Sequence, residues 1–390
     1  MTKTEVFQSV DSVIPQKPTL EDFWSVEAIG ITDNPSECDD ENAKEQFKES
    51  ITFEEGRYQV TWPWKEEVPE LPVNKELALG RLKSCVKKLK NNPALLKKYN
   101  SVIQEQLVNG VIEKVQQSQS SDMKHYLPHH AVINPQKTTT KVRVVYDASA
   151  KSRSTNNSLN ECLLRGPVML QNLCGLLMRF RLHKVALVAD IEKAFLQIGL
   201  QPSQRDVTRF LWLKDYEVPN VSQNNIQEYR FCRVPFGVIA SPFLLGATVE
   251  HHLEQSNTAA AATLKDDIYV DNVITGTESV SEAFQLYQCS KSVFQKASMN
   301  LREWLSNSDT INQMIPEHDR AKSETMSVLG HSWNSRDDLL SIQPSSRITV
   351  DAKVVTKRNI LKVVASVFDP LGLVTPVLLR GKLLLQTIWS

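Results

Sequence analysis

The sequence predicts an α+β fold, helices first and a sheet after them, and three observations carry that expectation. Between residues 76 and 110 apolar side chains recur at the three-to-four-residue spacing of helices. From residue 131 the period shortens to two, as in strands. Further on, two short apolar runs each lead into an aspartate, Asp190 and Asp271, without a regular strand–helix alternation between them.

Taken in order, residues 1–75 are expected to be a weakly structured, acidic N-terminal linker segment. Positions 39–49 are polar, Pro63, Pro69 and Pro72 punctuate the stretch after residue 60, and Phe23-Trp24 and 58–64 are apolar islands. Residues 76–90 place Leu77, Leu82, Val86 and Leu89 on one helical side, and Asn92-Pro93 opens a second helix that stops near Asn109-Gly110. Lys83, Lys87, Lys88, Lys90, Lys97 and Lys98 on their outer sides read as solvated faces ahead of a phosphate-tracking surface. Strands are expected at 131–133 and 142–146 around a turn-like 134–140, a buried strand at 185–189, and another at 268–270 with a turn at 272–276 after it. Helices are expected at 168–180, at 243–253 after Ser241-Pro242, at 280–298, and from 356 to the end with a break at 369–372.

Net charge is zero, yet residues 1–70 hold roughly 17 acids against 6 bases, which leaves the remainder with an excess of about 11 positive charges. A basic body with an acidic front suits a polyanion-binding core. No run of about 18 apolar residues and no apolar signal core is present, so neither a transmembrane segment nor a signal peptide is expected. The cysteines at 38, 85, 162, 174, 232 and 289 form no C-x-x-C pair and read as reduced thiols. No aspartic-protease D-[ST]-G triplet and no Cys/His or Ser/His arrangement speaks for a peptidase.

Four segments stand in a fixed order: Lys141-Val-Arg143-Val-Val-Tyr-Asp147; Val188-Ala-Asp190-Ile-Glu-Lys-Ala194-Phe195-Leu-Gln197; Val234-Pro235-Phe236-Gly237-Val-Ile-Ala-Ser241-Pro242-Phe243; and Tyr269-Val270-Asp271-Asn272. Together they resemble the fingers motif and palm motifs A, B and C of reverse transcriptases. The stretch from Phe23-Trp24 to Ile31, the 159–166 stretch, 300–308, Leu329-Gly330 and the Asp369-Pro-Leu-Gly372 tail are similar to the BEL/Pao group of retrotransposon polyproteins. The resemblance implies a right-hand polymerase fold with fingers at 76–170, a palm with an antiparallel sheet at 171–335, and a thumb- or connection-like helical tail at 336–390, truncated before ribonuclease H.

The chemistry it implies is RNA-directed DNA synthesis on an RNA or DNA template with primer, using deoxynucleoside triphosphates and two Mg²⁺ ions, or Mn²⁺. In-line phosphoryl transfer needs cations at both reacting oxygens, and hard oxygen ligands suit them. Asp190 and Asp271, each after an apolar strand, are the expected catalytic and metal-holding acids, with Asn272 beside them where most of the family has a second aspartate. Asn offers a neutral oxygen without charge, so weaker metal binding is expected. Asp267, two-residue periodic with Asp271, reads as solvated or accessory.

Phe195 falls where the family has an aromatic gate against the 2′-hydroxyl, and Gln197 faces the template–primer side. Phe236 and Gly237 are expected at the nucleotide, the glycine allowing close backbone approach. Arg143 and Lys137 would hold the triphosphate, while Asp147 orients the hairpin. Tyr269, Val270, Pro235, Ser241 and Pro242 are expected to shape their turns. Lys296 and Arg302 both qualify as the general acid. The Trp62-Pro-Trp64 and His129-His130 pairs read as packing and loop residues. A cytoplasmic location, or one inside retroelement particles, is implied by the resemblance. The alternative reading is a catalytically weak or inactive remnant that only binds nucleic acid or a partner, for which Asn272 and the expected lack of ribonuclease H speak.

Overall fold

In the computed structural model, residues 37–67, 69–116, 123–133, 142–342 and 356–389 are described. The first described elements are helix α1 (Glu37–Ser50) and a hairpin of β1 (Thr52–Glu54) and β2 (Arg57–Val60). This corrects the expectation of a weakly structured segment for residues 37–67. Their acids are mostly exposed, while Ala43, Phe47, Tyr58, Val60 and Trp62 are buried in the core. The 43/47 pair is one helical stripe, and 58/60/62 is one face of an extended chain. Phe47 meets Phe243 edge-on at 5.9 Å, and the Trp62 and Trp64 indoles both donate to Gln204.

Helices α2 (Lys75–Lys90) and α3 (Pro93–Val108) come next, as expected. Ala78, Leu82, Cys85, Val86 and Leu89 turn inward and the six lysines outward. Asn92 caps α3 by accepting from the Leu95 amide at 3.1 Å, and Pro93 fills the first position, where no amide is missed. Strand β3 (Ile112–Lys114) precedes the hairpin of β4 (His129–Ile133) and β5 (Val142–Tyr146). His129 is buried among Tyr99, Tyr146, Phe210 and Trp212, a packing residue whose ring burial holds at about 4.

Helix α4 (Leu173–Leu182) starts later than expected, because Asn172 caps it through the Gly175 amide and the residues before it are not helical. Next come β6 (Val185–Ile191), β7 (Gly199–Leu200), β8 (Arg209–Leu213), β9 (Ile226–Phe231), α5 (Ser241–Gln255), α6 (Ala259–Asp267), β10 (Ile268–Tyr269), β11 (Asn272–Thr277), α7 (Val280–Lys296) and β12 (Leu301–Ser306). Strands β13 (Thr325–Val328), β14 (His331–Asn334) and β15 (Leu339–Ser341) precede α8 (Lys357–Ala365) and α9 (Thr375–Trp389).

The central sheet runs β10-β11-β6-β12, antiparallel throughout. Alternation along β6 sorts its side chains. Val185, Leu187, Ala189 and Ile191 join the main core, whereas Ala186 and Val188 join a second cluster with Leu176, Leu177 and Phe180 of α4 and Trp333 of β14. Residues 272–276, expected as a turn, are strand β11. Gly276 is there for close approach, since a Cβ would lie 2.5 Å from His183 and 2.7 Å from the Val185 carbonyl.

Two boundaries move. Strands β8 and β9 pair with β3, so part of the 171–335 segment belongs with the helices and strands before it. Leu339–Ser341 pairs with β14, so residues 336–342 extend that small sheet rather than the helical tail. Among the described residues all six cysteines are free, and no helix is long and apolar enough to cross a membrane.

Candidate active site

The hairpin β10–β11 turns through Val270 and Asp271 alone, flanked by the Tyr269–Asn272 pair. Val270 sits at φ 59°, a left-handed conformation that a β-branched residue adopts only when its surroundings enforce it. The enforcement is visible: the Ile191 amide donates to the Asp271 carbonyl at 2.7 Å, tying the turn to the end of β6. Tyr269 packs against the second apolar cluster and Val270 against the main core.

Register then assembles a polar row. Asp190 lies opposite Asn272 on one side and opposite Arg302 on the other. It shares its face with Ala186 and Val188, so the apolar strip of β6 ends in a carboxylate. Burial pushes Asp190 up, Asp271 adds to the effect, and the nearby Arg302 opposes it; the group comes to about 7. Asp271 is likewise raised by burial. Two carboxyls raised by burial, one of them also by the other, at the end of a sheet are the situation that a bound cation relieves. Asn272 adds no third charge. Its side-chain amide donates to Asp271 Oδ1 at 2.9 Å and fixes that oxygen.

Arg302 comes within 3.8 Å of Asp190 Oδ2 through Nε, and its Nη1 donates to Glu192 at 3.1 Å. Asn300 also donates to Glu192, at 3.0 Å, and accepts from Lys291, which is itself paired with buried Asp319 at 2.7 Å. A chain of polar contacts thus runs from the acids into the core. Of the two general-acid candidates, Arg302 stands beside Asp190, whereas Lys296 is exposed near His252. Asp267 is corrected: it ends α6, is 6% exposed and pairs with Arg179 at 3.4 Å. It forms a structural pair because α6 runs up to it and leaves no strand for it to share with Asp271.

A cavity of about 440 Å³ is lined by Phe195, Phe236, Gly237, Ser241, Pro242 and Arg165, with neither Asp190 nor Asp271 among its lining residues. Phe195 sits on a 3-10 turn (Ala194–Gln197) just past β6, its ring 4.6 Å from that of Phe236. Gly237 has φ 96°, and a Cβ there would lie 2.6 Å from the Tyr146 carbonyl of β5. Ser241 donates to the Pro235 carbonyl at 2.8 Å, and Pro242 occupies the first turn of α5. Asn160 accepts from the Ile239 amide at 2.8 Å and donates to the Gly237 carbonyl at 3.3 Å, pinning the loop. Arg143 is exposed on β5 and has no ion pair among the described residues. Lys137 lies outside the described residues. Asp147 accepts from the Ser149 amide and steadies the end of the hairpin.

Sequence reasoning passed over Glu192, Asn160 and Arg165. Glu192 stood inside a quoted motif, but its partners Asn300 and Arg302 are more than a hundred residues away.

The family model described as reverse transcriptase (RNA-dependent DNA polymerase) matches residues 91–304. The model of the Pao retrotransposon-like RNaseH-like domain matches residues 356–390. No curated protein matches the chain. Among solved structures, the foamy viral protease-reverse transcriptase in complex with RNA/DNA hybrid is similar with a TM-score of 0.50 and 15% identity, covering 92% of this chain and 43% of that one. The foamy viral protease-reverse transcriptase dRH in complex with double-stranded DNA is similar with a TM-score of 0.46 and 18% identity, covering 68% of this chain and 38% of that one. The chain therefore spans well under half the length of these structures.

Proposed function

This chain belongs to the reverse transcriptase (RNA-dependent DNA polymerase) family, and on that premise we propose that it is the polymerase core of a Pao-type retrotransposon polyprotein, extending a primer on an RNA or DNA template from deoxynucleoside triphosphates. Its fold is the right-hand polymerase fold. The observation that carries the proposal is the meeting of Asp190 and Asp271 at the open end of the central sheet, with each carboxyl raised.

The family implies dependence on divalent metal, and the acid pair fits it. Asp190 and Asp271 would hold Mg²⁺ or Mn²⁺, which supplies charge neutralisation for the attacking and leaving oxygens. The chain's own residues do the rest. Asn272 orients Asp271, and Arg302 with Glu192 holds Asp190 in place. Phe195 and Phe236 give the nucleotide pocket an aromatic wall against which a 2′-hydroxyl finds no room, and Gly237, expected to admit the nucleotide, instead gives its free side to the Tyr146 carbonyl and so seats the Phe236 loop against β5. Arg143, exposed on β5, would meet the triphosphate as a forked charge.

Primer extension on defined templates with Mg²⁺ or Mn²⁺ tests the reading. Extension that disappears in Asp271→Asn supports it; extension that survives refutes the metal assignment. Asn272 favours a second reading, a remnant that binds template–primer without extending it. A wild-type chain that binds in a salt-dependent manner yet never extends would establish that one.

A further inference from the structure

We propose that Arg57, on the N-terminal hairpin outside the region matched by the polymerase family model, is a positioning residue for Phe195 and thereby sets the choice between deoxyribonucleoside and ribonucleoside triphosphates. The inference rests on the polymerase reading and on Phe195 as the residue that meets the sugar.

Phe195 owes its place to a single short turn. The chain enters it through Lys193 at φ 49° and closes it with a 2.8 Å bond from the Leu196 amide to the Lys193 carbonyl. One 3-10 turn has few bonds of its own, so its orientation depends on what holds its exit. That exit is Gln197. Arg57 Nη1 donates to both the Gln197 carbonyl and its Oε1, the latter at 3.1 Å. Gln197 Nε2 in turn donates to the Glu192 carbonyl at 2.7 Å, which closes the loop around Phe195 from behind.

The hairpin is a firm support. Strand β2 pairs in parallel with β7, Gln59 beside Gly199 and Val60 beside Leu200, directly after the turn. At its tip, Ser298 donates to the Gly56 carbonyl at 2.7 Å. Tyr58 beneath it is buried against His252.

Arg57 has no carboxylate partner among the described residues. Burial holds its guanidinium below the ordinary range, and Arg233, also lowered by burial, feels Arg57 as a like charge. A guanidinium kept in such a place is used for its aimed donors rather than for neutralisation. Without them, the Gln197 side chain keeps its bond to the Glu192 carbonyl, and the turn's exit keeps the 3.2 Å bond from the Ile198 amide to the Phe195 carbonyl, but the tie to the hairpin is lost. The Phe195 ring, packed on its other side against Phe236, gains freedom to swing away from the sugar.

Single-nucleotide incorporation kinetics with a deoxyribonucleoside triphosphate and its ribonucleoside counterpart test this, comparing wild type, Phe195→Val and Arg57→Ala. The expected result is that Phe195→Val loses most of the discrimination and Arg57→Ala lowers the ratio of the two kcat/KM values by about tenfold, the scale on which small misplacements act. A role in stability alone lowers the active fraction for both nucleotides alike and leaves the ratio untouched. If Arg57→Ala unfolds, Arg57→Lys, which keeps the stem and charge but not the fork, carries the same comparison. An unchanged ratio in the Arg57 variant beside a lost one in Phe195→Val overturns the proposal and leaves the gate standing. An unchanged ratio in Phe195→Val removes the gate, and with it this inference. A wild-type chain that incorporates neither nucleotide overturns the polymerase reading itself.

Discussion

Two groups of acids are drawn out of water in this molecule, and they are treated in opposite ways. Around Asp206, 5% exposed, every acid has its cation: Arg209 at 2.8 Å and Arg230 at 3.0 Å. Glu228 takes Lys75 and Arg209, and Glu113 takes Arg230 and Arg205. Burial alone would raise Asp206, but the two arginine bonds more than offset it and the group ends below its ordinary value. At the sheet end, Asp190 has one arginine at 3.8 Å and Asp271 has an amide, and both are raised. A satisfied cluster holds a fold together; an under-compensated one waits for charge from outside.

The largest expected separation between the two comes from neutralising one acid in each. Asp271→Asn should lower primer extension by about a thousandfold, which is several kcal/mol of transition-state stabilisation, with the melting temperature unchanged or higher because a strained charge is removed. Asp206→Asn should do the reverse, destabilising the fold by about 3 kcal/mol as two buried arginines lose the carboxylate they share. Urea unfolding and extension assays on both variants read this out, and equal behaviour would erase the distinction.

The pH dependence of stability sharpens it. A carboxyl raised on folding binds its proton more tightly in the native state, so the contribution of Asp190 is present at low pH and is lost as pH rises from 3.8 to about 7. Asp206, lowered on folding, contributes at neutral pH and loses that contribution as pH falls below its unfolded value. Unfolding measured in a chelator across this range should show the Asp190 slope, and Asp190→Asn should abolish it. A metal-free chain with no such slope near neutrality would contradict the raised carboxyl.

A smaller effect is expected from Asn272→Asp. The bond to Asp271 Oδ1 is replaced by a third carboxylate, so the variant should need less Mg²⁺ for half-maximal extension while its nucleotide choice stays the same. A titration of extension rate against Mg²⁺ checks it, and a higher requirement would show that the amide's orienting bond outweighs the charge.

Much of this arrangement was legible in the chain. Asp190 and Asp271 each come after an apolar run, and Phe195 and Gly237 lie in segments whose order is itself informative. The features that escaped were set by distant partners. The 272–276 stretch looks like a turn because Asn, Thr and Gly populate it, yet Gly276 answers to the close approach of His183 and the run pairs with β6 over its whole length. Residues 37–67 look like a linker because acids dominate their composition, and the few apolar side chains that dock them are spaced too sparsely to stand out. The contact of Arg57 with Gln197 spans 140 residues, and no local pattern announces it.

The Tyr146 carbonyl at the end of β5 abuts Gly237 so closely that even a methyl group does not fit between them. Strand β5, which carries Arg143, and the loop holding Phe236 at the floor of the cavity are thus in direct backbone contact at that point. Movement of the hairpin is transmitted to the floor as through a rigid lever, with no cushion of side chain to absorb it.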